Sequence, residues 1–162
     1  MDGLRRALVV MFALAVAVGA ALLVLPLAIA ADPALRRASF AFAGFLVEAL
    51  AQADLDPAAA REAAELMRFV WTSAVVVCAA PLFIVAAIGE AANVRSPVWH
   101  VGATAVGAAA APWIARAAFG SSRLADASAP ELRLALAFFV TGAAAGGVYW
   151  LTAGRGRRPP HD

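Results

Sequence analysis

The chain has a single cysteine, no lysine, two histidines and one tyrosine among its 162 residues. One thiol, Cys78, excludes an intrachain disulfide and any Cys-x-x-Cys metal or redox motif. Inside an apolar run it reads as a small packing residue. Only His100 lies near an apolar segment, since His161 is in the tail, so one subunit offers no facing pair of axial ligands for haem. The sequence also lacks a P-loop, an H-E-x-x-H, a G-x-S-x-G and a pair of carboxylates on a common span. The expectation is therefore no enzyme, no cofactor and no catalytic or metal-binding residue. Charged residues are only 15% of the chain. The arginines flank apolar segments and form no basic stripe interleaved with aromatics, which excludes nucleic acid as a partner.

Apolar sequence fills the space left. Hydrophobic residues make up 64% of the chain and the mean hydropathy is +0.81, against roughly 45–50% apolar residues in a soluble domain. An all-α, polytopic integral membrane protein is expected, with four transmembrane helices at about residues 7–31, 69–89, 98–119 and 134–153. Each is long enough, at about 1.5 Å per residue, to cross a hydrocarbon core of about 30 Å.

The last span carries the most information. Gly142 and Gly146 form a G-x-x-x-G that lets a second helix backbone approach one face, and Ala135 and Ala153 extend that small stripe. Tyr149 and Trp150 stand where amphipathic rings meet headgroups, and Arg155, Arg157 and Arg158 follow. These arginines, with Arg5 and Arg6 at the other terminus, predict cytoplasmic N- and C-termini in a bacterial inner membrane, with residues 154–162 as a cytoplasmic basic tail. In the third span Ala103, Gly107 and Ala111, four apart, make a second close-packing face, and Pro112 predicts a bend.

Residues 7–31 admit two readings. Ala28-Ile29-Ala30 resembles a signal-peptide cleavage site, but the apolar core exceeds the roughly 7–15 residues of a signal h-region, which favours an uncleaved span. Residues 32–67 are the one long non-spanning segment, expected on the periplasmic side. Phe42, Phe45, Leu46, Ala49 and Leu50 recur there at helical spacing, which predicts an amphipathic helix lying in the interface or capping the bundle, with docking of a partner protein as the alternative. Asp56-Pro57 starts another helix that can run unbroken into the second span. Ionisable residues near a span are candidates for function. Glu90, Arg95 and His100 surround the short turn before the third span and form a candidate polar cluster, read first as a structural pair with Arg95 or His100 donating to Glu90, and second as a proton-coupled site.

The segment Gly147-Val148-Tyr149-Trp150-Leu151-Thr152-Ala153-Gly154-Arg155, with Arg95-Ser96 and Gly102-Ala103-Thr104, resembles small four-span bacterial membrane proteins. That resemblance implies no activity and carries over no site residue. The function expected is a non-catalytic accessory, assembly or scaffold subunit. Its partners would be the lipid bilayer and either another membrane protein or further copies of itself, met through the small-residue faces. The alternative is a small transporter or channel component using the polar site around Glu90 and His100.

Overall fold

Three Asx- or Ser-Pro junctions, Asp32-Pro33, Asp56-Pro57 and Ser96-Pro97, punctuate the chain, and at each a helix begins. The computed structural model describes residues 2–118 and 128–154 and is helical nearly throughout, with no strand among the described residues. Helix α1 spans Asp2–Ala31 and runs through Pro26. Asp32 then turns the chain. Its carboxylate accepts from the Ala34 and Leu35 amides at 2.8 and 3.0 Å and caps α2, Pro33–Ala53. Asp56 caps α3, Pro57–Ala91, in the same way through Ala58 at 2.9 Å. Proline in the first turn costs nothing in either helix, because an N-terminal amide has no intrahelical acceptor to lose.

Helix α3 ends in a left-handed residue, Asn93 at φ 52°. The Asn93 amide donates to the Glu90 carbonyl and the Val94 amide to that of Gly89, at 3.3 and 2.8 Å, so carbonyls of the last turn are satisfied within a five-residue connection, 92–96. Helix α4, Pro97–Ala109, follows, then α5, Ala111–Ala118, and α6, Ala129–Tyr149, which continues as a π-helical turn over Trp150–Gly154.

Three helical segments are long and apolar enough to cross a membrane: Gly3–Ala31, Pro57–Ala91 and Ala129–Gly154. They are the expected first, second and fourth spans. The expected third is divided. Helix α4 has 13 residues, about 20 Å of rise, short of the roughly 30 Å core. The division falls at Ala110, two residues before Pro112, which has no amide hydrogen to donate to the Ala108 carbonyl four residues back. The Trp113 and Ile114 amides both donate to Ala110 at 3.1 Å, restarting the helix beyond the break. Residues 120–130 carry Ser121, Ser122, Asp126 and Ser128 and read as a polar turn; 120–127 of it, and the basic tail from residue 155, lie outside the described residues, and α6 begins at Ala129.

The core is built from small residues. Ala13, Ala17 and Ala21, four apart on α1, have no exposed surface and pack with Cys78, Leu82 and Ala86 of α3 and with Ala145, Tyr149 and Ala153 of the last helix. Leu82 and Tyr149 are its largest fully buried apolar side chains. Between spans, lipid is as apolar as leucine, so association rests on close van der Waals approach, which alanine and glycine permit. Large apolar residues accordingly point outward, among them Leu8, Phe12, Leu23 and Leu27 on α1 and Phe69, Trp71 and Ile84 on α3.

At the opposite end, Arg133 Nη1 of α6 donates to Asp32 Oδ2 at 2.8 Å, tying α6 to the corner between α1 and α2. The Asp32 carboxyl is held below its ordinary 3.8, chiefly by the Leu35 amide, with Ala34 and Arg133 adding to the effect against partial desolvation. Because the folded value lies below the unfolded one, Asp32 stabilises this corner at neutral pH, and the contribution is lost as pH falls from 3.8 through the folded value. A carboxyl chemical-shift titration should place the Asp32 midpoint below the ordinary 3.8, and a midpoint at or above it would contradict this role.

Candidate functional site

Of the expected residues, His100 meets the Gly142–Gly146 face where α4 packs on α6, whereas Ala103, Gly107 and Ala111 lie on a different side of α4 and α5. Gly142 and Gly146 of α6 are buried against α4. A Cβ at Gly142 would stand 2.5 Å from the Thr104 carbonyl oxygen and 2.9 Å from Ala105 Cα. At Gly146 it would overlap the carbonyl of His100. The G-x-x-x-G face is therefore occupied within the chain, by the His100, Thr104, Ala105 and Ala108 side of α4.

The second small face behaves differently. Gly107 meets only Pro81, whose Cβ would lie 3.1 Å from an added Cβ. Ala103 and Ala111 stand beside it along the wall of an apolar cavity of about 730 Å³ between α3 and the α4–α5 pair. Val76, Ala80 and Ile84 line its other side, and Ser73 is the one hydroxyl residue among its lining.

Glu90 lies in the last turn of α3, where helix carbonyls already make the field negative, so its carboxylate needs cations or donors. Arg6 of α1 supplies them in two-pronged fashion: Nε donates to Glu90 Oε2 at 3.1 Å and Nη2 pairs with Oε1. The same guanidinium donates through Nη1 to the Ala153 carbonyl at 3.0 Å. One arginine thus joins the start of α1 to the ends of α3 and of the last helix. Tyr149 Oη also donates to Glu90 Oε1, at 3.2 Å.

His100 is almost wholly buried, and its ring stands 5.3 Å from that of Tyr149 at a tilt of 49°. Gly89 makes room for it, since a Cβ there would come within 2.7 Å of His100 Cε1. The His100 Nε2 faces the Val94 carbonyl at 3.3 Å. Its Nδ1, and the hydroxyl of Thr104 one turn on, are buried without a hydrogen-bond partner among the described residues. Arg95 is exposed at the connection; its backbone carbonyl accepts from the Trp150 indole at 3.0 Å. Of the expected cluster, Glu90 and His100 both border Tyr149, and the hydrogen bonds described at Glu90 come from Arg6 and Tyr149.

Sequence reasoning missed both of those donors. Arg6 is 84 positions from Glu90 and reads as an ordinary flanking charge. Tyr149 reads as a headgroup-level ring, yet it is 1% exposed. Its spacing held the signal: Gly142, Gly146, Tyr149 and Ala153 stand at i, i+4, i+7 and i+11, one helical face.

No group of three or more His, Cys, Asp or Glu side chains placed to hold a metal occurs among the described residues. The cluster's chemistry is that of a clamp, in which one carboxylate gathers a guanidinium and a phenol where three helices end. No family model matches the chain, and no curated protein or solved structure matches it.

Proposed function

We propose that the chain is a non-catalytic accessory, assembly or scaffold subunit of a bacterial inner membrane, crossing it four times with α4 and α5 together forming the third crossing. The observation that carries this reading is the division of labour between the two small-residue faces. Gly142 and Gly146 are consumed in closing the chain on itself, whereas Ala103, Gly107 and Ala111 border an apolar cavity that opens between α3 and α4–α5. A face of small residues in lipid favours a helix that can approach closely. The occupant proposed for the cavity is an apolar helix of a membrane partner.

Site-specific photocrosslinking in native membranes tests this. A crosslinker at Val76 or Val106, both of which line the cavity, should capture one discrete polypeptide, and Ala103→Leu with Ala111→Leu should abolish the adduct while the protein stays folded. Capture equal to that from the outward-facing Leu8 on α1, or capture unaffected by filling the cavity, overturns the proposal.

A second reading, a small transporter or channel component, has its support in the unpartnered His100 Nδ1 and Thr104 hydroxyl beside the Glu90 clamp. Proton or solute flux through reconstituted protein that vanishes in His100→Ala would favour it over the first.

A further inference from the structure

Helix α2 is 21 residues long and contains no buried residue. Its half-buried side chains, including Leu35, Leu46 and Ala49, turn toward the rest of the molecule. Glu48 and Gln52 pair with one another at 3.1 Å on a polar side that also carries Arg37 and Gly44. The remaining side is a stripe at i, i+3, i+7 and i+10, formed by Phe40, Ala43, Val47 and Leu50. Phe40 is 70% exposed and Val47 67%. In water such a stripe would be costly, at about 25 cal/mol for each Å² of apolar surface.

We infer that this stripe lies in the surface of the bilayer, making α2 an in-plane anchor whose arginines meet lipid phosphates. Two observations select lipid as the occupant. The first is continuity: only Asp32 separates α2 from α1, whose outward Leu23 and Leu27 already face the region that lipid fills, and the three residues 54–56 separate it from α3, with its outward Phe69 and Trp71. A helix tethered at both ends to spanning segments is held at the level where the chain leaves the hydrocarbon.

The second is charge. At the corner where α1 ends, Arg133 is matched by Asp32, and Glu131 is turned back to cap the Ser128 amide at 2.8 Å. Arg36 and Arg37 are exposed there and make no ion pair among the described residues. Arg36 stands one turn before Phe40, at the edge of the stripe, where an arginine reaches phosphate while its methylenes lie along apolar surface. An apolar face with arginines at its border fits an anionic phospholipid surface. The inference does not depend on what fills the cavity between α3 and α4.

Single cysteines at Phe40, Val47 and Glu48, in a Cys78→Ala background, test it after labelling with an environment-sensitive fluorophore and reconstitution into phosphatidylcholine–phosphatidylglycerol vesicles. Labels at Phe40 and Val47 should be quenched at least about twofold by a headgroup-proximal nitroxide lipid and shielded from aqueous iodide, with the reverse at Glu48. Iodide access equal at all three positions overturns the inference. So does a label at Val47 shielded from iodide but not reached by the lipid quencher, the result expected if a protein or a second copy covers the stripe. A separate reading needs no label: raising the phosphatidylglycerol fraction should raise the Tm of the native protein, and Arg36→Gln with Arg37→Gln should lose that shift. An equal shift in the double variant contradicts the role of the arginines.

Discussion

Gly146→Leu should destabilise the protein by about 3 kcal/mol or more, the upper end of what overpacking a well-filled interface costs. The reason is the kind of atom in the way. An added Cβ at Gly146 would overlap the carbonyl of His100, and at Gly142 it would lie 2.5 Å from that of Thr104. A flexible side chain can swing aside, but a helix backbone moves only if the helix moves. Separating α4 from α6 would also disturb the His100 ring, which is packed between Gly89 and Tyr149. Even Gly146→Ala should cost stability.

The same substitution elsewhere should change sign. At Gly19, Gly44 and Gly102 nothing lies within 4 Å of an added Cβ. All three are in helices, where alanine is better than glycine by roughly 0.5–1 kcal/mol. Gly19→Ala, Gly44→Ala and Gly102→Ala should therefore be neutral or stabilising. Thermal unfolding in a mild detergent, followed by helical circular dichroism, reads all five variants on one scale. Equal effects at Gly146 and Gly102 would mean that α4 and α6 do not meet at the glycines.

Glu90→Ala should be the second large loss, about 2–3 kcal/mol, in the range of charge-assisted hydrogen bonds with a partly desolvated partner. The Arg6 and Glu90 side chains are each under one third exposed, so solvent screens them less than a surface pair. Removing Glu90 leaves Arg6 without its carboxylate and the Tyr149 phenol, which is buried, without this acceptor. Tyr149→Phe, which removes the hydroxyl that makes the 3.2 Å bond, should cost about 1 kcal/mol. Arg6→Ala with Glu90→Ala should cost less than the two singles added, by about 1–3 kcal/mol of coupling. Simple additivity would show that the two side chains do not act together. Arg6 should also contribute beyond Glu90, because its Nη1 satisfies the Ala153 carbonyl at a helix end.

Local chemistry made the helix boundaries legible. Asp56-Pro57 was readable as a start because an N-cap followed by proline has few other uses, and the helix from Pro57 to Ala91 runs unbroken as its sequence suggested; Asp32-Pro33 and Ser96-Pro97 begin helices with the same residue pattern. A helix is present in 32–67 as α2, somewhat longer than the repeat that signalled it, with Leu46 and Ala49 of that repeat half-buried and Phe42, Phe45 and Leu50 exposed. The glycine stripe announced a close helix contact without saying which helix would fill it, since any backbone can sit on Gly142 and Gly146. Likewise, Arg6 became the partner of Glu90 through tertiary packing that no local pattern encodes. The alanines at 13, 17 and 21 were overlooked because in so alanine-rich a chain a four-residue spacing stands out poorly, although they form the face of α1 that is fully buried. Pro112 foretold a bend, and the structure has a one-residue break between α4 and α5 at Ala110.

The small-residue packing of α1, α3 and α6 holds the chain together only if lipid is the solvent for their outward faces. Fractionation of cells expressing the full chain, with a sodium carbonate wash at alkaline pH, measures that most directly. The protein should stay with the membrane pellet through the wash and enter solution only with detergent, since three helical segments, Gly3–Ala31, Pro57–Ala91 and Ala129–Gly154, are long and apolar enough to span. Release by carbonate alone, as a folded and monodisperse protein without detergent, would contradict the account.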